Sequence, residues 1–316
     1  MKKNPKLFRL LMLSAMYENG GNATHRLLDG HPELFVYPFE SQPGTKFVND
    51  FLSSLYPLKY RWPVFPTDIS AEDAYELIID EEAKIRMKTP RVSKFQNADL
   101  KMTDIDRKKD FVALLRGKSL NRAHAMEAFF RASFNTWKNY PASGKEKVYV
   151  GYSPIIGVDG EKIINDFPHN GYILHIVRNP FSAYADTKKR PVPLSLAHYM
   201  TGWVTAQYFA KLWEEKYPGR FFVLRFEDIV KNPRRILART LSKIGIRDSE
   251  TLSYPSWNGE RLAEVYPWGT VRIPTGAANL ATAQELSKKE ISLIYERTEM
   301  YIEYLGYTDL YRKLSR

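Results

Sequence analysis

Three short stretches of this sequence carry residue types that can hold or move an anionic group. The first is the loop Tyr17-Glu18-Asn19-Gly20-Gly21-Asn22, which follows the apolar run Leu10–Ala15. Two adjacent glycines let backbone N–H groups come close to an anion. The loop lacks the Gly-Lys-Ser/Thr ending of a kinase-type phosphate loop, so a plain turn explains it equally well. The second stretch is His175-Ile176-Val177-Arg178-Asn179-Pro180, continuing through Ser182 to Asp186. Arg178 stands directly after an apolar run, and Pro180 near the first position of a helix. A guanidinium there can grip a phosphate bidentately beside the helix N-terminus, or serve as one half of a structural salt bridge. The third is Arg225-Phe226-Glu227-Asp228, ahead of Asn232-Pro233. Here a structural role is favoured, with the two acids capping a helix and Arg225 pairing internally. Among the six histidines, His25 reads as an exposed helix residue and His31, beside Pro32, as a turn residue. No two have metal-ligand spacing, so no metal is expected.

Positioning such groups takes strands and helix N-termini. Leu10–Ala15, Leu34–Tyr37, Lys147–Gly151, Tyr172–Val177 and Phe221–Phe226 are short apolar runs that read as buried strands. Between them lie helical patterns: Ala23–Asp29, closed by Gly30; Ser70 to about Met87, opened by a capping-box-like Ser70-Ala71-Glu72-Asp73; and Ser119 to about Tyr140. Further helices are expected over Leu194–Tyr217, Pro233–Ile244 and Leu286–Leu305. Met126, Phe129, Phe130, Phe134 and Trp137 form an apolar stripe that reads as core. Alternating strands and helices predict an α/β fold with a central parallel sheet and right-handed crossovers, in which ligands sit at the strands' carboxyl ends. The chain reads as one domain over 1–316. The stretch 45–140 is too long for a simple crossover and reads as a helical insertion.

Composition narrows the classes. The 316 residues include 47 Lys+Arg and 36 Asp+Glu, a net charge of +11, and no cysteine. Disulfide frameworks, thiolate metal sites and cysteine nucleophiles are excluded. A hydrophobic content of 44% is enough for a large core. No apolar run reaches the length of a membrane span. Leu7–Met16 is short, broken by Arg9, and lacks a small-residue cleavage site, so a cytoplasmic location is expected. The charge is uneven: Lys84–Arg122 holds twelve basic residues and four acids. That stretch is either a solvated face or a surface for an anionic acceptor. No nucleic-acid recognition motif accompanies it, and nothing in the sequence fixes the oligomeric state.

Taken in order, His25–Pro32, Tyr37-Pro38-Phe39-Glu40, His175–Pro180, Val223–Asp228 and Pro267–Thr275 resemble the sulfotransferase family, bacterial members especially, over nearly the whole chain. The resemblance implies a P-loop-like fold and transfer of a sulfuryl group from 3′-phosphoadenosine-5′-phosphosulfate (PAPS) to a hydroxyl or amine of a sugar or secondary metabolite. It implies a small-molecule or glycan acceptor, anionic ones included. It places Asn19, Gly20, Gly21, Asn22, Ala23 and Thr24 on the 5′ end of the nucleotide and Arg178 on its 3′-phosphate. Ser182, Asp186 and Arg272 join the nucleotide-binding set. Glu40, after the second strand, becomes the base that takes the acceptor proton, with His25 or His31 as outsiders; Glu18 is a catalytic candidate where the donor or the transferred group differs from the family's.

The sequence also departs from that family. Glu18 stands where a basic residue is usual, Asp186 where a Ser is usual, and Tyr152 where many relatives carry Lys. A carboxylate about 4 Å from a phosphate or sulfate opposes binding by roughly 1–4 kcal/mol. Thr187 or Ser182 is a substitute for the missing Ser, and Lys188, Lys189 or Arg190 for the missing charge. The alternative is a sulfotransferase-fold enzyme with another donor or another transferred group, as in polysaccharide assembly. A non-enzymatic carbohydrate-binding protein using Lys84–Arg122 is a third reading.

Overall fold

A computed structural model describes residues 7–262 and 275–316. Its elements run β1 (Leu10–Ala15), α1 (Gly21–Leu28), β2 (Leu34–Val36), α2 (Ala71–Leu77), α3 (Glu81–Lys88), α4 (Asp104–Leu115), α5 (Arg122–Thr136), β3 (Val148–Tyr152), α6 (Gly160–Asp166), β4 (Gly171–Val177), α7 (Pro180–Thr187), α8 (Leu196–Lys216), β5 (Phe221–Arg225), α9 (Phe226–Lys231) and α10 (Pro233–Ser242). A two-stranded ribbon, β6 (Ser256–Trp257) and β7 (Glu260–Arg261), then leads to α11 (Gly276–Ala283), α12 (Lys288–Tyr304) and α13 (Thr308–Leu314).

The fold is α/β, with a five-stranded sheet in the order β2-β3-β1-β4-β5. Every pairing in it is parallel. Its strands are apolar on both faces because both faces are covered. Leu10 and Met12 point into a core shared with Phe129, Phe130 and Phe134 of α5, confirming the aromatic stripe as core. Leu11 and Leu13 point the other way, against Leu27 and Leu28 of α1 and Leu237 and Leu241 of α10. From β1 the chain goes to β2 on one side of the sheet; from β3 it goes to β4 on the other. The carboxyl end of β1 is therefore the topological switch point, where this architecture leaves a crevice.

The stretch between β2 and β3 holds α2 to α5 and differs from the sequence-based expectation in two places. Ser70 does cap a helix, accepting from the Asp73 N–H at 3.0 Å. The helix stops at Leu77, however, and α3 starts separately at Glu81. Asp80, at φ 34°, makes the break. Its carboxylate lies fully buried on Arg107, with Arg107 Nη1 at 2.6 Å and the Tyr37 hydroxyl at 2.9 Å. The Ile79 and Asp80 N–H groups donate to the carbonyls of Gly44 and Gln42 instead of to a preceding helical turn. One continuous helix would forfeit both. Farther on, Asn121 rather than Ser119 caps α5, accepting from the His124 N–H at 2.8 Å. That helix ends at Thr136, where Trp137 turns to extended backbone angles (φ −76°, ψ 92°) and its indole donates to Asn139 at 2.9 Å.

Seven of the twelve basic residues between 84 and 122 are engaged by other groups of the chain, although only Arg107 is buried. Lys84 donates to the last carbonyls of α2, at 3.0 Å for Tyr75 and 3.3 Å for Glu76, and also to that of Ile78. Arg86 holds the Phe95 and Ala98 carbonyls. Lys88, Lys94, Arg107, Lys108 and Arg122 all pair with carboxylates. Arg91, Lys101, Lys109, Arg116 and Lys118 remain exposed. Among the described residues no helix is long and apolar enough to cross a membrane.

Candidate functional site

A cleft of about 1160 Å³ opens over the carboxyl ends of the strands. On one side it is walled by Glu18, Gly20, Gly21, Asn22, Ala23, Arg178, Asp186, Lys189, Arg190 and Asn279; on the other by Glu40, Gln42, Lys59, Tyr60, Glu81, Glu82, Ser93, Lys94 and Phe95. The first group comes from the ends of β1 and β4 with α7 and α11. The second comes from the end of β2 and the stretch that follows it.

On the β1 side, the loop closes against two aromatic rings. Gly20 has φ +88°, and a Cβ there would lie 2.2 Å from the Phe226 ring. A Cβ on Gly21 would lie 2.3 Å from the Tyr152 hydroxyl. Both glycines are thus required by close packing alone. The first bond of α1 runs from the Thr24 N–H to the Gly20 carbonyl at 3.0 Å. This leaves the first-turn N–H groups of Gly21, Asn22 and Ala23 as the helix's donors at the cleft. Asn19 is turned inward, accepting from the Arg178 N–H at 2.8 Å and donating to Tyr199 at 3.1 Å. Thr24 bonds back to the Gly20 carbonyl. Neither side chain reaches the cleft wall. Asn19 instead fastens the loop after β1 to the end of β4.

Arg178 does reach the cleft, already engaged. Nη1 donates to Asp186 at 2.7 Å and to the Glu18 carbonyl at 2.9 Å, and Nε donates to Asn279 at 2.6 Å. Asp186 is thus its ion-pair partner, the structural salt bridge weighed from the sequence. Ser182 is buried, with its hydroxyl on the Asn279 carbonyl at 2.7 Å. Thr187 likewise turns its hydroxyl to Ala183, and Lys188 pairs with Glu290. Lys189 and Arg190 stay at the rim. Lys189 lies 3.4 Å from Asp186, and Arg190 lies over the Tyr17 ring and 3.9 Å from Glu18. Glu18 takes φ 61°. Burial raises its carboxyl pKa, and Arg190 opposes the rise.

Glu40 faces the cleft from the end of β2. Burial first, and the Glu82 carboxylate second, push its pKa up to about 7, against Lys94 and the Gln42 amide. Two carboxylates so close titrate as a pair. Lys94 pairs with Glu82, and Lys59 with Glu81 at 2.6 Å. His25, expected exposed, is instead 1% exposed, packed on Tyr152 with Arg26 Nη2 2.6 Å from its Nδ1. Burial and then Arg26 hold its pKa well below the usual histidine value, so it stays neutral beneath the loop. His31 accepts the Glu33 N–H at 3.1 Å and meets the Arg247 carbonyl. Arg225 pairs with Asp228 at 2.9 Å, as expected of a structural role. Glu227 departs from that expectation, accepting from Asn179, Asn279 and Tyr307. Arg272 lies outside the described residues, as does most of Pro267–Thr275.

Sequence reasoning missed Asn279, Gln42 and Glu82. Asn279 carries no motif. Gln42 and Glu82 gain meaning once the break at Asp80 brings α3 against the loop after β2. Among the described residues no group of three His, Asp or Glu side chains is arranged to hold a metal ion.

No family model matches the chain, and no curated protein matches it in sequence. Solved structures similar to it include a sulfotransferase domain from the curacin biosynthetic pathway, 13% identical, covering 80% of each chain at a TM-score of 0.47. The sulfotransferase domain of the Synechococcus PCC 7002 olefin synthase is also 13% identical, covering 95% of this chain and 98% of that one at 0.47. The sulfotransferase STF1 of Mycobacterium tuberculosis H37Rv is 13% identical, covering 78% and 70% at 0.37.

Proposed function

We propose that this chain transfers an activated anionic group, a sulfuryl group in the reading its sequence resemblance favours, to a hydroxyl or amine of a sugar or other small metabolite. The observation that carries the proposal is Glu40, a cleft-facing carboxylate at a strand's carboxyl end with a pKa near neutrality. A general base works best when its pKa lies near the working pH. Glu40 takes the acceptor proton as the acceptor oxygen or nitrogen attacks. Glu18 remains a weaker candidate, held by its own backbone strain and by Arg190. The resemblance makes PAPS the donor, and PAPS supplies the sulfuryl group.

The residues fit such a nucleotide at one end. The N–H groups of Gly21, Asn22 and Ala23 offer donors to its phosphosulfate. At the other end the fit is poor, since Asp186 already holds Arg178 where a 3′-phosphate would need it. This pair favours a second reading, a donor without a 3′-phosphate. Calorimetry with 3′-phosphoadenosine-5′-phosphate and with adenosine-5′-phosphate separates the two. Tighter binding of the bisphosphate supports PAPS. Equal binding supports the second reading. No binding of either at submillimolar concentration defeats both.

A further inference from the structure

Glu40 is clamped by two neighbours. Gln42 Nε2 donates to Glu40 Oε2 across 3.3 Å. The other end of the same amide, Oε1, accepts the N–H of Glu81, the first residue of α3, at 3.0 Å. The Gln42 carbonyl accepts the Asp80 N–H at 2.9 Å. In return the Glu40 N–H donates to Glu82 Oε2 at 3.4 Å. Gln42 is 1% exposed and sits at φ 36°, in the left-handed region. That conformation is unfavourable for a non-glycine residue and persists where its surroundings over-determine it.

We infer that Gln42 is a positioning residue for the Glu40 carboxylate, aiming it into the cleft and tying it to the first turn of α3. The inference rests on the reading of Glu40 as the base. A primary amide suits the place because it donates from one end and accepts at the other. A carboxylate in its place would lose the donor to Glu40, and an aliphatic side chain would lose both bonds. The other charged or titratable groups that face Glu40 are Glu82 on α3, Lys94 beyond it, Lys59 ahead of α2, and the phenols of Tyr17, Tyr60 and Tyr152.

The test follows the Glu40 carboxyl carbon by NMR in protein labelled with 13C at glutamate carboxylates, the resonance being assigned by its loss in Glu40→Gln. Gln42→Gly removes the amide and relaxes the positive φ, so the fold is kept. Gln42→Leu keeps the bulk without the donor. In both, the Glu40 titration moves upward by about half a pH unit or more, as expected when a hydrogen bond to the charged form is lost. An unmoved titration in both variants overturns the inference. If the titration moves while Glu40→Gln keeps full transfer activity, the base reading fails and the positioning of Glu40 stands.

Discussion

The two walls of the cleft are built on opposite principles. The wall at β1 and β4 carries the residues that the sequence singles out most readily, and most of them are spent on architecture. Asn19 bridges two strand ends, Ser182 and Thr24 bond to carbonyls, Arg178 is held by Asp186 and Asn279, and Gly20 and Gly21 make room for two rings. The wall at β2 carries no recognisable phosphate motif. Yet it holds the carboxylate whose pKa is pushed up to about 7, set beside the ion pairs Lys59–Glu81 and Lys94–Glu82, the second drawing its lysine from the stretch that looked in sequence like a basic surface. The lesson is that a motif marks where backbone must turn and pack, while chemical readiness depends on which side chains burial leaves only partly compensated.

The largest effect that sharpens this contrast is on turnover. Glu40→Gln should lower the transfer rate by about 10²–10⁴-fold with little change in donor affinity, measured with labelled PAPS and a panel of sugar hydroxyl and amine acceptors. A loss below threefold would move the chemistry to the other wall. Next comes the pair that sets the break before α3. Arg107→Ala leaves Asp80 buried without its cation and should cost about 3–5 kcal/mol in denaturant unfolding. A cost near zero would detach the β2 wall from the helices behind it. Third, Arg178→Ala should weaken binding of 3′-phosphoadenosine-5′-phosphate about tenfold or more in calorimetry, a loss of at least about 1.4 kcal/mol. If affinity rises instead, Arg178 serves the fold alone.

The smallest effect concerns pH, and its sign follows from linkage. Glu40 binds its proton more tightly folded than unfolded, so between its ordinary value and about 7 the native state holds the extra proton. Its contribution to stability is therefore lost as pH rises through that window, while the ionised form that the proposed base role calls for accumulates. Activity should fall on the acid side of about pH 7. Glu40→Gln should melt higher than the parent at pH 8 and alike below about pH 4.5, read by thermal unfolding at both values. A variant that melts lower at pH 8 would show that Glu40 is paired and structural, like Arg178.

Much of the fold was legible in the sequence, because five apolar runs of strand length, alternating with amphipathic helices, leave few topologies open. The break at Asp80 was not, because the sequence there continues a helical pattern. Only the tertiary partner Arg107, 27 positions later, makes the kink favourable. The site was legible in part. Glu40 and the loop at Gly20 follow from strand ends. Burial of His25 and capture of Lys84 by carbonyls depend on contacts that no local spacing reveals. Gln42 lies two positions from Glu40, but its meaning comes from a backbone angle that glutamine seldom adopts.

The cleft walls also bear on how a ligand arrives. Among the described residues they carry Lys59, Lys94, Arg178, Lys189 and Arg190 beside Glu18, Glu40, Glu81, Glu82 and Asp186, equal numbers of each sign. Among the described residues the cleft walls thus add little to the +11 that the chain carries as a whole. Any steering of an incoming anion then comes from charges outside the cleft, and it should fade as ionic strength rises. Discrimination falls to contacts made after entry, at short range.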